Sequence, residues 1–272
     1  DQIRKGLSRN YGIPDLTRRT DEIGHLSAAL KDMTEALWDR MDAIERFAAD
    51  VAHEIKNPLT SLRSAVETAA RINDPAQQNQ LMSIIQDDIK RLDRLISDIS
   101  DASRLDSELS RAAMKPVDMA HLLNTLKDIH TATAERGNVI FSVEFADERP
   151  MVVRGLEDRI VQVLRNLIGN AVSFSPPGGV VILKAKPLGS KIIVTVEDEG
   201  PGIPEGSQTN IFKRFYQERP KEEKFGTHSG LGLSISKQIV ETHGGRISAE
   251  NRISEQGEVL GARFTIHLPV SA

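Results

Sequence analysis

The sequence has no cysteine, and only one tryptophan and two tyrosines among its 272 residues. Without cysteine the chain can form neither disulfides nor thiolate metal sites, which is consistent with a reducing compartment such as the cytosol. Few aromatic residues are typical of helical coiled-coil segments, whose seams consist of leucine, isoleucine and alanine. We therefore expect aliphatic packing between helices to account for much of the fold.

Three further absences narrow the possible functions. No run of about 18 apolar residues occurs, so no segment is expected to span a membrane, and the N-terminus lacks the features of a signal peptide. The formal net charge is −4, so the chain lacks the basic surface expected of a protein that binds nucleic acid directly. The abrupt, charged start is typical of a piece cut from a longer protein.

The first part of the chain has the pattern of a long helix, predicted from Asp21 to about Ala70 after a polar segment broken by Gly12 and Pro14. Its apolar seam is Leu26, Leu30, Met33, Leu37, Met41, Ile44, Ala48, Val51 and Ile55. Most steps alternate between three and four residues, which is a heptad seam. Two successive steps of four around Leu37 form a stutter, which is either a plain irregularity or a junction that transmits a change in supercoil.

A second helix is predicted from about Ala76 to Leu105, after the breaker residues 73–75. Its seam is Leu81, Ile85, Ile89, Leu92, Ile96 and Ile99. Two such helices joined by a short turn form a hairpin, and one hairpin cannot cover both seams. We therefore expect two chains to pair into a four-helix bundle, which would make the protein a homodimer.

Beyond about residue 113 the pattern changes to helices and strands in mixed order. Helices are predicted at 119–136, 156–174 and 231–243, and strands at 139–145, 180–183, 192–196, 246–250 and 262–269. The order lacks the regular alternation of a parallel sheet, and it predicts an α/β sandwich with one helical layer on a mixed sheet. The fold class is thus α+β and multidomain, with a helical hairpin followed by the sandwich.

Residues 47–60 contain a candidate reaction centre. His53 is followed by Glu54, and Asn57 lies one helical turn further on the same face as His53. A nucleophile beside a carboxylate, with an amide nearby and Pro58 to loosen the helix, could take part in group transfer. A lone histidine on an amphipathic helix is more often a surface residue, so this interpretation depends on the rest of the chain.

Three downstream features together form a candidate nucleotide site. Asn166 and Asn170 share one helix face and offer amide oxygens to Mg²⁺. Asp198 follows a strand and can accept a hydrogen bond from an adenine amino group, while the glycines of residues 200–202 let the backbone pass close to a ring. Residues 230–233 open a helix whose free N–H groups suit phosphate. Each feature alone has a simpler explanation as surface polarity, a turn or packing, but their order and spacing together are specific.

In this order the motifs resemble the bacterial two-component sensor histidine kinases. Residues 53–58 correspond to the phosphoacceptor box, 166–170 to the asparagine box, 198–202 and 230–233 to the two glycine boxes, and 211–215 to the phenylalanine box. Residues 15–45, with Pro14 before them, resemble the latter part of a HAMP signal-relay module. Within the family, residues 43–68 are most similar to ChvG-type sensors of alphaproteobacteria.

The resemblance implies a partial HAMP segment at 1–45, a dimerisation and phosphotransfer hairpin (HisKA) at 46–112, and a GHKL-type (Bergerat) ATP-binding domain at 113–272. It implies the cytoplasmic portion of an inner-membrane sensor in which His53 attacks the γ-phosphate of ATP and Glu54 accepts the imidazole proton. The phosphoryl group would then pass to an aspartate of a response regulator. Asn57 is implied to orient water in a phosphatase reaction on that regulator.

The resemblance also implies which residues bind the nucleotide. ATP is expected to contact Asn166, Asn170, Phe174, Asp198, Gly200, Gly202, Ile203, Phe215, Arg219, Ser229, Gly230, Leu231, Gly232 and Leu233, with Asn170 and Asn166 holding Mg²⁺. Ser173 stands where the family often has Lys or Arg, and Phe174 where it often has Tyr. The cations that neutralise the phosphates are therefore expected in or near a lid at 213–229, namely Lys213, Arg214, Arg219, Lys221 and Lys224.

Two other function classes fit part of the pattern. ATPases of the gyrase and Hsp90 type share the nucleotide fold, but they typically need a carboxylate in the asparagine-box helix, and positions 162–169 contain none. A dimeric scaffold that binds nucleotide only to hold its shape needs neither His53 nor Glu54. Both alternatives are therefore less favoured than a histidine kinase.

Overall fold

The computed structural model of the protein describes residues 16–133, 139–147, 149–216 and 229–270. The chain divides into two compact units, residues 1–57 and 58–272. The boundary falls inside the first helix, α1 (Glu22–Ala69), which is followed by α2 (Pro75–Arg111). Pro14, which the HAMP resemblance uses, lies outside the described residues.

α1 begins and continues as the sequence predicts. The Asp21 carboxylate accepts a hydrogen bond from the Gly24 N–H at 3.1 Å, which satisfies one of the free donors of the first turn. Pro58 cannot donate to the helical ladder, yet the helix continues through it to Ala69. The loosening expected at Pro58 therefore does not end the helix.

The turn between the two helices uses the predicted breaker residues. The Asp74 carboxylate accepts a hydrogen bond from the Ala76 N–H at 3.0 Å, and the Gln78 side chain donates to the Ile72 carbonyl at 2.6 Å. Both bonds satisfy polar groups that the helix ends would otherwise leave free. Among the described residues, no helix is apolar enough over a sufficient length to cross a membrane.

The buried face of α2 differs from the predicted seam. Leu95, which the seam omits, is only 2% exposed, whereas Ile89 and Ile96 are 47% and 56% exposed. Ile89 and Ile96 are therefore uncovered within a single chain, and the seam there stays a prediction, because a second hairpin was expected to cover it. Apolar residues occupy adjacent positions of α2, so the helix carries two apolar stripes, and periodicity alone does not tell which of them faces the same chain.

The hairpin keeps an apolar surface in contact with solvent. We use the name exposed stripe for Leu59, Val66, Met82, Ile89 and Ile96, each of which is more than 40% exposed. The residues of α2 within it lie seven positions apart, as do the two of α1, so each set follows one side of its helix. In the first unit, the predicted seam residues from Leu26 to Ile44 are also exposed.

The second half of the chain forms the predicted mixed sheet with helices against it. The helices are α3 (Met119–Thr133), α4 (Glu157–Phe174) and α5 (Gly232–Thr242); the strands are β1 (Lys115–Asp118), β2 (Val139–Phe145), β3 (Val152–Gly155), β4 (Gly179–Leu188), β5 (Lys191–Glu197), β6 (Arg246–Ile253) and β7 (Val259–Pro269). The main sheet has the order β2-β4-β5-β7-β6, in which only the β2–β4 pair is parallel. β1 and β3 form a separate antiparallel pair that the sequence pattern did not predict.

The sheet is packed on one face. In β4 and β7 alternate residues are buried, and the residues between them in β7 are the half-buried Arg263, Thr265 and His267. α4 buries a continuous stripe from Ile160 to Ala171. Asn166 and Asn170 lie beside this stripe and are half-buried. The apolar contact of α4 therefore determines which way the amide pair faces.

A buried histidine joins the end of α5 to the start of α4. His243 is 4% exposed; its Nε2 accepts the Leu156 N–H at 3.0 Å, and its Nδ1 donates to the Ile239 carbonyl at 2.7 Å. These two bonds require the neutral ring with its proton on Nδ1. His243 thus serves packing and helix capping, and it brings α4 and α5 side by side.

Candidate functional site

A cavity of about 650 Å³ opens between α4, the N-terminus of α5 and the loop after β5. This volume lies within the range of sites for small molecules and cofactors. Ten residues of the predicted nucleotide set line it: Asn166, Asn170, Phe174, Asp198, Gly202, Ile203, Ser229, Gly230, Gly232 and Leu233. The fold therefore brings residues from three separate motifs to one place.

Three described residues of the predicted set, Gly200, Phe215 and Leu231, do not line this cavity. Leu231 is fully buried, and its N–H donates to the Ser229 hydroxyl at 3.2 Å. Phe215 has a positive φ of 58° and donates its N–H to the Gly230 carbonyl at 2.9 Å. The backbone bonds of Leu231 and Phe215 thus join neighbouring segments next to the cavity. Arg219 lies outside the described residues.

Asp198 is the most constrained polar residue of the site. It is 3% exposed, and its Oδ1 accepts hydrogen bonds from the Gly200 and Ala262 N–H groups, both at 2.9 Å. Burial raises the pKa of this carboxyl group, although the two N–H groups and the charge of Arg252 oppose the shift. The described residues donate no hydrogen bond to Oδ2, which leaves that oxygen available to a ligand.

Glycine is required where β7 passes Asp198. Gly261 has φ +141°, and a Cβ placed there would lie 1.9 Å from the Asp198 carbonyl oxygen. Gly200 is similarly close to α4, since its Cβ would lie 2.9 Å from the Phe174 carbonyl oxygen. The backbone thus closes tightly around the carboxylate.

Asn251 of β6 holds the loop that carries Ile203, and the sequence motifs gave no indication of it. Its Oδ1 accepts the Ile203 N–H at 2.6 Å and its Nδ2 donates to the Ile203 carbonyl at 2.8 Å. Gly202 leaves room for this clamp, because a Cβ there would lie 2.8 Å from the Asn251 oxygen. The only signal in the sequence is an asparagine inside a strand, where asparagine is disfavoured.

Glu197 anchors the end of β5 just before Asp198. This carboxylate is 3% exposed and lies near three cations: Arg263 at 2.7 Å, Lys184 at 3.4 Å and Arg252 at 3.6 Å. Arg252 also donates to the Asp198 carbonyl at 2.7 Å. A buried carboxylate needs such partners to offset its desolvation, and the network fixes the strand end that presents Asp198.

The two asparagines of α4 fit the chemistry of a Mg²⁺ site. Asn166 donates its Nδ2 to the Gly232 carbonyl at 3.1 Å and to the Ser236 hydroxyl at 3.3 Å, which leaves its amide oxygen free for another partner. The Asn170 side chain has no hydrogen bond to the described residues. Mg²⁺ prefers oxygen ligands and keeps several waters, so few protein ligands suffice. The described residues contain no group of three or more acidic or histidine side chains that could hold a metal.

Two residues of α2, Arg94 and Asp98, also line the cavity. The Ser229 hydroxyl donates to the Asp98 carboxylate, and the Gln162 side chain donates to Asp101 at 2.9 Å. Burial raises the pKa of Asp98, and the Asp101 charge adds to the shift while the Ser229 bond opposes it. The sequence motifs did not indicate these contacts, since they join residues far apart in the chain.

Among the described residues, the cations that line the cavity are not those expected. Lys213 and Arg214 are described but do not line the cavity, whereas Arg94 and Arg165 do. The remaining lid candidates, Lys221 and Lys224, lie outside the described residues. The motifs do not indicate Arg165, because it precedes Asn166, the first residue of the asparagine box.

The candidate reaction centre belongs to the first compact unit. His53 and Asn57 are exposed on α1, and Glu54 between them is half-buried. The helical spacing places the imidazole and the amide on one side of α1, as predicted. Both side chains are therefore accessible from solvent.

Two parts of the chain match known families. Residues 43–108 match the His Kinase A (phospho-acceptor) domain. Residues 155–272 match the histidine kinase-, DNA gyrase B-, and HSP90-like ATPase family. The first range includes His53, and the second includes both asparagines, Asp198 and the N-terminus of α5.

Curated relatives cover nearly the whole chain. The chain is 49% identical to the sensor protein ChvG of Agrobacterium fabrum, over 99% of its length and 46% of the relative. It is 50% identical to the sensor protein ChvG of Rhizobium meliloti, over 98% of its length and 47% of the relative. The chain thus spans about half the length of these proteins.

One solved structure resembles most of the chain. It is the histidine kinase ThkA in complex with the response regulator protein TrrA, with a TM-score of 0.68 and 27% identity. The likeness covers 86% of this chain and 64% of the ThkA chain. It therefore includes the hairpin as well as the sheet domain.

The burial of Asp198 predicts how stability changes with pH. Because the folded-state pKa of Asp198 is raised, the ionised carboxylate destabilises the fold, and this cost develops as pH rises from the unfolded-state pKa through the folded-state pKa. Asp198→Asn keeps the oxygen that accepts both N–H groups but cannot ionise. We expect its free energy of unfolding to match the wild type at acidic pH and to exceed it at neutral pH, as measured by urea unfolding. A deficit of Asp198→Asn that is the same at every pH would contradict this account.

Proposed function

The chain belongs to the bacterial sensor histidine kinases, as its motifs predicted, and we propose that it phosphorylates its own His53 with ATP and passes the phosphoryl group to a response regulator. The observation that carries the proposal is the cavity in which the asparagines of α4, Asp198 and the first turn of α5 meet. The same chain carries an exposed histidine beside a carboxylate. These two features support a site for ATP and an acceptor for its phosphate in the same chain.

The cavity walls support a defined orientation of ATP. The free oxygen of Asp198 would accept a hydrogen bond from the adenine amino group. The loop held by Asn251 would cover one face of the adenine ring. The glycines at the N-terminus of α5 would bind phosphate through backbone N–H groups. Asn170, and with it Asn166, would hold Mg²⁺, which supplies charge neutralisation of the phosphates when bound.

The transfer reaction needs a neutral imidazole and a base. His53 would attack the γ-phosphorus in line with the leaving ADP, and Glu54 would take the proton that the ring loses. Most of the rate enhancement would come from positioning and charge stabilisation, because phosphoryl transfer requires little covalent chemistry from the protein. The exposure of His53 supports this role, since the same nitrogen must later reach a regulator.

Replacement of His53 tests the kinase activity. Incubation with γ-labelled ATP and Mg²⁺ should give an acid-labile, base-stable label on the wild-type chain and none on His53→Gln. His25→Gln is the matched control, since His25 is an exposed histidine on the same helix, and it should label normally. Free phosphate without labelled protein would point to an ATPase of the gyrase type instead, and label retained on His53→Gln would rule out His53 as the acceptor.

The response regulator is proposed from two lines of support. The ThkA structure, which resembles this chain, contains a response regulator, and the exposed face of α1 around His53 is open to a partner. Asn57 lies one turn from His53 on that face. Its amide would orient a water molecule toward the phosphoaspartate of a bound regulator, so the protein would act as a phosphatase as well.

Asn57→Ala tests the phosphatase activity. The variant should autophosphorylate at the wild-type rate, because the amide has no part in the attack on ATP. Its dephosphorylation of the phosphorylated regulator should slow by roughly 100-fold, the usual cost of losing a positioning contact. Asn79→Ala, an exposed asparagine on α2, is the control. Normal dephosphorylation by Asn57→Ala would exclude this role.

We also propose that the protein is a homodimer and that it works in the cytoplasm, where ATP is available. The exposed stripe on the hairpin supports the dimer, because its five apolar side chains face solvent in a single chain. Each such side chain contributes about 1.5–3 kcal/mol when it is fully buried. A second hairpin packed on the stripe would bury it and complete a four-helix bundle.

Two charges in the exposed stripe should separate the dimer. The double variant Ile89→Glu and Ile96→Glu is expected to sediment as a monomer while it keeps its helical circular dichroism. Gln80→Glu adds a charge to an exposed position of α2 on the side away from the stripe and should leave the dimer intact. A double variant that sediments as the wild type does would place the interface elsewhere.

A further inference from the structure

One of the cations that line the cavity forms no ion pair or hydrogen bond with the described residues. A triphosphate needs positive charge near its terminal groups, and arginine is well suited because its planar guanidinium can bind two phosphate oxygens at once. Ser173 brings no charge, and neither Lys213 nor Arg214 lines the cavity. Within the part of the chain that the structure describes, the lining cations are Arg94 and Arg165.

We infer that Arg165 binds the terminal phosphates of ATP and supplies the positive charge that Ser173 cannot. This inference rests on the proposed function, since it assigns a phosphate-binding residue to the same site. Arg165 is exposed on α4, immediately before the half-buried Asn166. It lies on the cavity side of a helix whose opposite stripe is buried against the sheet.

The row of residues along α4 gives Arg165 access to the phosphates. Arg165, Gly169 and Ser173 follow one another at steps of four, so they lie along one side of the helix. A Cβ built on Gly169 would find no atom within 4 Å. The space above the middle of the row is therefore open, and a guanidinium or a ligand can occupy it.

The position of Arg165 matches the length of the ligand. The carboxyl end of α4 lies at the adenine end of the cavity, where the Phe174 carbonyl approaches Gly200 beside Asp198. Arg165 is nine residues earlier on the helix, which corresponds to about 13 Å along its axis. That distance is on the scale of an extended nucleoside triphosphate. The base and the guanidinium would thus occupy opposite ends of the bound molecule.

The charges of Arg94 and Arg165 are compensated differently. Arg94 lies one turn from Asp98 on α2, and its charge lowers the pKa of that carboxyl group, so part of its field is offset. The described residues form no ion pair or hydrogen bond with the Arg165 guanidinium. Burial is the main cause that lowers the pKa of His130, and the positive charge of Arg165 lowers it further. Of the two described cations that line the cavity, Arg165 therefore has the greater capacity to attract an anion.

Binding of nucleotides to the 272-residue chain tests the inference. The probes are adenosine, ADP and the non-hydrolysable β,γ-imido analogue of ATP, measured by titration calorimetry with Mg²⁺. Arg165→Gln should weaken binding of the ATP analogue by about ten-fold or more, because a charge-assisted hydrogen bond is lost. The loss should be smaller for ADP, and adenosine should bind as it does to the wild type. Lys237→Gln, an exposed lysine of α5, is the control and should bind all three normally.

A conservative variant adds a second test. Arg165→Lys keeps a positive charge at the same place on α4, so it should retain more of the affinity for the ATP analogue than Arg165→Gln does. Equal affinity of wild type and Arg165→Gln for the ATP analogue, or a parallel loss of adenosine binding, would overturn the role of Arg165 while the proposed function stands. A wild-type chain that binds none of the three probes would overturn both.

Discussion

The buried carboxylate of Asp198 is the constraint on which the cavity depends. Taking a carboxylate out of water costs several kcal/mol, and the fold offsets this with two backbone N–H groups. One belongs to the loop after β5 and the other to β7, so the same oxygen fixes both segments. Gly261 is required for this contact, because any side chain there would collide with the Asp198 backbone.

The other contacts of the cavity extend this arrangement outward. Glu197 and its three cations hold the end of β5, and Asn251 holds the loop after Asp198 through the backbone of Ile203. On the opposite wall, Asn166 ties α4 to the first turn of α5. The polar groups that would meet a ligand are thus placed by elements that cannot move independently. Such preorganisation lowers the entropic cost of binding.

Helical and strand periodicity predicted most of the fold. The two hairpin helices, the helices of the sheet domain and the five strands of the main sheet are found close to where the pattern placed them. The β1–β3 pair was missed, because four-residue strands are too short to show alternation. Leu95 was left out of the predicted α2 seam, because both stripes of this helix are apolar and periodicity does not tell which of them the same chain covers.

By itself the sequence determined which chemical groups the protein has and in what order: a histidine beside a carboxylate, an amide pair on one helix face, an aspartate before glycines and a glycine-opened helix. Local spacing is enough for this, because the period of a helix or strand fixes which neighbours share a face. Only the tertiary structure decided which groups face the cavity. It brought Asn251, Asp98 and Arg165 to the cavity and left Leu231 and Phe215 outside its lining. These choices depend on contacts between residues distant in sequence, and no local pattern encodes them.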